Sequence, residues 1–337
     1  MQPQAGGYFI KIVLTFLKGR LMKSFKCGLA AIVIIATLPR VATAEIIFWT
    51  DPAERSGSHF VRRAGPGPGL QTIIGNLRDP RGMAVDSLND KIYWTEPGLG
   101  SISRANFDGS GIEQIVATSS AGGGVALDVS AGKLYWTDGV PGSGLIKRAN
   151  LDGSVVETIV PSGPFHPAGI ALDAVNQKVY WTDLEGHLDG AGRIQRANFD
   201  GSNIQTILSG IDEANGLALD PSAGKIYWPD LTTNRIQRAN LDGTNVEDIV
   251  TGVDDPTTVA LDLTAGKIYW TDSQPTPAVS NRIQRANLDG SGIQVIVSGV
   301  GVPWGVAVDP TPVPEPIAGI MALIVWGTAV AIVRRTN

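Results

Sequence analysis

The chain has 337 residues, 32 of them acidic and 27 basic, for a formal net charge of −5, with one cysteine and three histidines. A single thiol excludes a scaffold held by disulfides. The acidic balance argues against a duplex nucleic-acid partner, which would require a basic face.

Residues before Glu45 include no acid. Met22-Lys23-Ser24-Phe25-Lys26 is a basic start, Cys27 to Leu38 is apolar, and Ala42-Thr43-Ala44 offers small residues for cleavage. Residues 1–44 therefore read as a secretory signal region with a signal helix. A retained anchor helix is the alternative, and Met22 is a second candidate start. Removing Lys11, Lys18, Arg20, Lys23, Lys26 and Arg40 with this region leaves 21 basic against 32 acidic residues, a net −11, and no cysteine. That charge suits a cationic ligand, a divalent ion or a neutral polymer; it also serves simply to keep an exported protein soluble.

From Glu45 onward a tetrapeptide recurs six times: Phe48-Trp49-Thr50-Asp51, Tyr93-Trp94-Thr95-Glu96, Tyr135-Trp136-Thr137-Asp138, Tyr180-Trp181-Thr182-Asp183, Tyr227-Trp228-Pro229-Asp230 and Tyr269-Trp270-Thr271-Asp272. The Trp-to-Trp steps of 45, 42, 45, 47 and 42 residues are the period of an array of small units that stack to bury their apolar faces. One unit, Asn215 to Val250, holds four short β-prone runs separated by turns, with nothing at helical spacing. Asp242-Gly243 closes its last hairpin, and Asp-Gly recurs at Asp108, Asp152, Asp200 and Asp289. Asp-Gly between strands points to a type I′ turn.

Four antiparallel strands repeated at this length predict a propeller blade. The runs GLALD and KIYW are apolar at consecutive positions, as strands covered on both faces should be; the third strand, such as Arg282 to Asn287, is more polar. An open solenoid or a long sandwich is the alternative. The stretch after Glu45 reaches its first Phe-Trp-Thr-Asp without an inner strand, and a solitary Gly305-Val306-Ala307-Val308-Asp309 follows the last full unit. The expected fold is thus all-β: a six-bladed β-propeller of four-stranded blades over 45–309, closed when the C-terminal strand completes blade one.

On these six tetrapeptides and their accompanying ALD and RANLDG runs, the chain resembles the YWTD, or low-density-lipoprotein-receptor class B, propeller family. The resemblance covers Glu45 to Asp309. It implies an extracellular binding module and no enzyme. Two departures stand out: Pro229 in place of Thr, and no cysteine for flanking epidermal-growth-factor-like modules.

Residues 310–316 form a Pro-rich linker ending in Pro314-Glu315-Pro316, and residues 317–337 are an apolar run followed by Arg334 and Arg335. As a helix, Ile317 to Val333 spans about 25 Å, close to a bilayer core of about 30 Å, with the arginines cytoplasmic. A transmembrane helix is therefore expected here. The order of these parts resembles the PEP-CTERM sorting signal of Gram-negative bacteria. That implies an exosortase, a membrane protease, as partner, and display in the periplasm, on the surface or in the extracellular matrix. A plain C-terminal anchor is the alternative.

Strand direction sorts the loops into two faces. Turns from strand one to two and three to four share the lower face and are nearly uniform (LDPSAGK, LDLTAGK, ANLDGS). Upper-face loops differ from blade to blade, and specific recognition resides in such loops. The candidate ligand-binding residues are Arg78, Asp79, Arg81, Phe165, His166, His187, Asp212, Glu213, Asn215, Asp254, Asp255 and Trp304. Solvated loop tips are the plain alternative for each. Asp86, Asp128, Asp173, Asp220, Asp262 and Asp309 end the inner strands; six carboxylates about an axis could hold calcium. Capping the following turn is the preferred role, so no cofactor is expected. G-x-S-x-G, H-E-x-x-H, a Walker loop and a cysteine nucleophile are all absent. The reading is a non-enzymatic propeller that binds a protein or an extracellular polysaccharide; the alternative is a metal-dependent hydrolase or lactonase of six-bladed type.

Overall fold

The computed structural model describes residues 45–52, 59–65, 69–118, 121–161, 166–184, 192–211, 213–273, 281–310, 322–326 and 329–333. Residues 45–311 form one compact unit. It contains six four-stranded antiparallel sheets. Five sheets take four consecutive strands each; the sixth joins Val306–Asp309 to the first three strands of the chain, Ile46–Pro52, His59–Ala64 and Gln71–Leu77. The register runs from Ile46↔Asp309 to Trp49↔Val306. The orphan run thus supplies the missing inner strand. Closure removes the open sheet edges that a linear stack would present.

The Tyr-Trp pair explains how blades stack. Adjacent strand residues point to opposite faces, so Tyr and Trp of one blade serve two different interfaces. Tyr135 and Trp181 share one apolar cluster, Tyr180 and Trp228 the next, and Tyr227 and Trp270 the next. Trp49 meets Tyr269 across the closing seam. The six tryptophans of the tetrapeptides are fully buried. The indole N–H groups of Trp49, Trp136, Trp181 and Trp270 find no acceptor among the described residues. What these four rings contribute is apolar area, about 25 cal/mol per Å² removed from water.

A second set of contacts ties blades at the lower face. Arg63, Arg104, Arg148, Arg196 and Arg238 each donate to a backbone carbonyl of the following blade, at Phe107, Leu151, Phe199, Leu241 and Leu288, over 2.9–3.1 Å. The sixth, Arg285, donates to the Glu45 carboxylate, which also accepts from the Tyr269 hydroxyl.

Two turn expectations have outcomes. The Asp-Gly hairpins are not type I′: only the glycine has positive φ, 83° at Gly109 and 85° at Gly243. The Gly109 N–H donates to Asn106 O and the Asn106 N–H to Ser110 O, both at 2.9 Å. That is a three-residue loop with glycine in the left-handed position, a known partner of a type I turn. The inner-strand aspartates do cap the next turn. Asp86, Asp128, Asp173, Asp220 and Asp262 each accept a backbone N–H three residues on, at 2.8–3.1 Å. Asp309 is followed by Pro310, which has no N–H to offer.

The second unit is described only at Ala322–Trp326 and Ala329–Val333, which pair as a two-stranded antiparallel hairpin. A helix was expected over this run. A continuous apolar stretch rich in Val, Ile and Ala has no periodicity that separates strand from helix. Among the described residues no helix is long and apolar enough to cross a membrane. Residues 1–44 and the sorting-signal positions Pro314, Glu315, Pro316, Arg334 and Arg335 lie outside the described residues.

Candidate functional site: the mouth of the channel

The six inner strands begin at the upper face, and their first residues surround a pocket on the propeller axis. It encloses about 450 Å³, including its solvent-open mouth. Every blade contributes to the wall, among them Gly82, Gly124, Gly169, Gly216, Thr258 and Gly305. The glycines reflect crowding between neighbouring strands. A Cβ on Gly82 would lie 2.1 Å from the Gly123 oxygen, and one on Gly305 would lie 2.1 Å from the Arg81 oxygen.

The threonine of each tetrapeptide holds this rim. Gly305, Gly82, Gly124, Gly169 and Thr258 donate their N–H to Thr50, Thr95, Thr137, Thr182 and Thr271 at 2.8–3.2 Å. Three of the hydroxyls donate onward to the next blade: Thr50 to Arg81 O at 2.7 Å, Thr95 to Gly123 O at 3.3 Å and Thr137 to Ala168 O at 2.9 Å. One hydroxyl thereby links its own inner strand to its neighbour's.

Blade five breaks the pattern. Pro229 stands at the threonine position and has neither hydroxyl nor N–H. Its inner strand, Ala218–Asp220, has three residues, against four in Met83–Asp86 and Val306–Asp309 and seven in Pro167–Asp173 and Pro256–Asp262. Asn215, Gly216 and Leu217 run unpaired along the mouth. Among the described residues the buried Gly216 N–H has no acceptor.

In four blades the final residue of the tetrapeptide anchors an upper-face loop. Asp183 accepts the His166 N–H at 2.7 Å and pairs with Arg193 at 2.8 Å. Asp272 accepts the Asp254 N–H at 3.1 Å and pairs with Arg282 at 2.8 Å. Glu96 accepts the Arg78 N–H at 2.9 Å and the Trp94 indole at 3.0 Å. Asp51 accepts the Gly301 N–H at 3.1 Å. These carboxylates fix loop backbone, which leaves the loop side chains to vary. Burial raises the pKa of Asp272, and the Arg282 guanidinium opposes that rise.

The candidate residues fall into two groups. Trp304 lines the mouth, and the Arg81 guanidinium lies 5.0 Å from its ring centroid. Asp79 pairs with Arg81 at 3.1 Å, and Arg78 is exposed beside them. This is a cation–π sandwich at the rim of blades one and two. Glu213, Asp254 and Asp255 make an acidic arc on blades five and six. Partial burial raises the pKa of Asp255, and Asp254 and Glu213 add to the rise. Glu213 and Asp255 both have positive φ, 47° and 41°. Asn215 sits at the mouth itself. Phe165, His187 and Asp212 lie outside the described residues. Among the described residues no three His, Cys, Asp or Glu side chains close on a common metal position. The threonine rim was the part that sequence reasoning missed. Its signal was present, since Thr occurs in five of the six tetrapeptides.

Residues 132–174 and 177–221 match the family described as low-density lipoprotein receptor repeat class B. A 66-residue stretch is 42% identical to Nidogen-2 of Mus musculus, covering 19% of this chain and 5% of that protein. The chain therefore spans about a twentieth of that relative's length. A crystal structure of a nidogen/laminin complex superposes with a TM-score of 0.65 at 21% identity, over 79% of this chain and 98% of the matched chain. TolB from Acinetobacter baumannii gives 0.64 at 12% identity, over 79% and 67% of the two chains. A putative TolB from Agrobacterium tumefaciens gives 0.58 at 13%, over 80% and 99%. These three structures share the fold. Two stretches of the chain, 132–174 and 177–221, thus match the low-density lipoprotein receptor class B repeat, and they lie within a closed six-bladed propeller.

Proposed function

We propose that this chain is an exported, surface-associated, non-enzymatic binding propeller whose upper face recognises a protein or an extracellular polysaccharide. The observation that carries this reading is the mouth of the channel: all six blades line it, and Trp304, Arg81 and Asn215 individualise it. The matched nidogen chain comes from a complex with laminin, which supports a protein ligand. Trp304 is half-buried beside Arg81, and Trp and Arg are enriched among interface hot spots. The leader and the Pro-Glu-Pro tail, read as an exosortase sorting signal, support display outside the cytoplasmic membrane.

The test is capture from the extracellular fraction, protein and glycan, by the full chain and by Trp304→Ala and Arg81→Ala variants. The expected result is a defined ligand whose affinity falls at least about tenfold in Trp304→Ala, with an unchanged melting temperature. Equal capture by all three proteins would remove the upper face from the reading. Stoichiometric bound metal with hydrolytic activity lost on chelation would replace it with the hydrolase alternative.

A further inference from the structure

The unpaired start of blade five's inner strand leaves one backbone amide open to reaction. Asn215-Gly216 is the one Asn-Gly step in the sequence. An asparagine side chain is attacked most readily by the amide nitrogen that follows it when that residue is glycine, because no Cβ hinders the approach. In five blades the equivalent N–H is held by a threonine hydroxyl at 2.8–3.2 Å. At Gly216 Pro229 supplies no hydroxyl, and the N–H has no acceptor among the described residues. Asn215 is itself part-exposed at the mouth.

We infer that Asn215 is a site of spontaneous deamidation, which converts a neutral amide at the mouth of the channel into a carboxylate. The Gly216 nitrogen gives up its proton and bonds to Cγ of Asn215. The bond from Cγ to the side-chain nitrogen breaks, and ammonia leaves with that proton. The resulting five-membered imide is opened by one water molecule. Opening at one carbonyl gives aspartate; opening at the other gives isoaspartate, with an extra methylene in the main chain. No oxidant or reductant takes part.

The chain provides its own controls. Asp108-Gly109, Asp152-Gly153, Asp200-Gly201, Asp242-Gly243 and Asp289-Gly290 can form the same ring. In all five the glycine N–H already donates to an Asn carbonyl at 2.8–2.9 Å. Their aspartate Oδ1 atoms accept from a Ser or Thr N–H two residues on, at 2.9–3.0 Å. Nucleophile and electrophile are both engaged there, and at Asn215-Gly216 the nucleophile is not. The product would add negative charge on the blade that already carries Glu213, next to Asp254 and Asp255. Deamidation thus alters the mouth with age, and the inference does not depend on which ligand the mouth takes.

The experiment incubates the full chain in mildly alkaline buffer and follows Asn215 by peptide mass spectrometry and by isoaspartate-specific enzymatic methylation. The expected result is steady deamidation at Asn215, with isoaspartate exceeding aspartate, while the five Asp-Gly steps stay unaltered. Pro229→Thr should slow it by about fivefold, the effect of one hydrogen bond on the attacking nitrogen. Pro229→Ser brings the same hydroxyl should Pro229→Thr not fold. An intact Asn215 after an interval that deamidates the urea-unfolded chain would overturn the inference. Equal rates with and without the added hydroxyl would overturn the role given to Pro229.

Discussion

Arg285 donates to the carboxylate of Glu45, whereas the arginine at that position in every other blade donates to a backbone carbonyl. The seam between the last blade and the first is therefore held by a charge-assisted contact. Hydrogen bonds of this kind are roughly twice as strong as neutral ones. Tyr269 shares the same carboxylate, so one side chain closes a three-membered cluster beside the Val306–Asp309 strand.

Glu45→Ala leaves both Arg285 and Tyr269 without their acceptor. The expected loss is about 1–3 kcal/mol, read as a lower midpoint in urea with an unchanged slope. Glu45→Gln keeps an acceptor oxygen and should recover part of the loss. Arg104→Ala, at an internal seam, is the comparison and should cost less.

Truncation after Gly301 removes the closing strand. It strips Val306 and Val308 from the cluster that holds Trp49 and Tyr269. Two buried valines correspond to roughly 3–6 kcal/mol, and the Ile46–Pro52 edge becomes open to pairing. The expected outcome is a sharply lower melting temperature and concentration-dependent association in sedimentation. An unaltered melting curve would contradict the closed ring.

Pro229→Thr supplies a hydroxyl for the Gly216 N–H and an N–H for the inner strand. Two hydrogen bonds at about 1 kcal/mol each are offset by roughly 0.4–1 kcal/mol of chain entropy regained on losing proline. A net gain near 1 kcal/mol is expected, with slower hydrogen exchange at Gly216 and Leu217. Exchange as fast as in the parent chain would show that the strand does not zip.

Stability should fall at both ends of the pH scale. Burial raises the pKa of Tyr93, Tyr135, Tyr227 and Tyr269. A raised folded pKa means the folded chain holds the proton more tightly, so this stability is complete below the unfolded value of about 10 and is lost as pH rises above it. On the acid side, hydrogen bonds from Arg104, Arg148 and Arg238 lower Glu113, Glu157 and Glu247. Their contribution is present above about pH 4 and lost as pH falls. Melting temperature against pH, with tyrosine absorbance on the alkaline limb, checks both signs. A flat profile beyond pH 10 would contradict the alkaline part.

Much of the fold was legible because each blade repeats its signals locally. Tyr-Trp at a fixed period announced the blades, and Gly305 to Asp309 announced the closure. What was not legible depends on distance between blades. The Arg in four of the RAN runs is visible in sequence, yet its carbonyl lies 45 to 51 residues away, and no local pattern encodes that contact. Glu45 read as the first residue past a leader, and its place in the seam emerges only in three dimensions. Pro229 was visible as a departure. Its effect on Asn215 and Gly216 needed the strand register.

The pairing of Ile46 with Asp309 places both points of attachment at the back of the wheel. The channel mouth, where the inner strands begin, opens on the opposite face of the ring. A wheel wired like this has both of its strand ends at the rear, a full blade height from its opening.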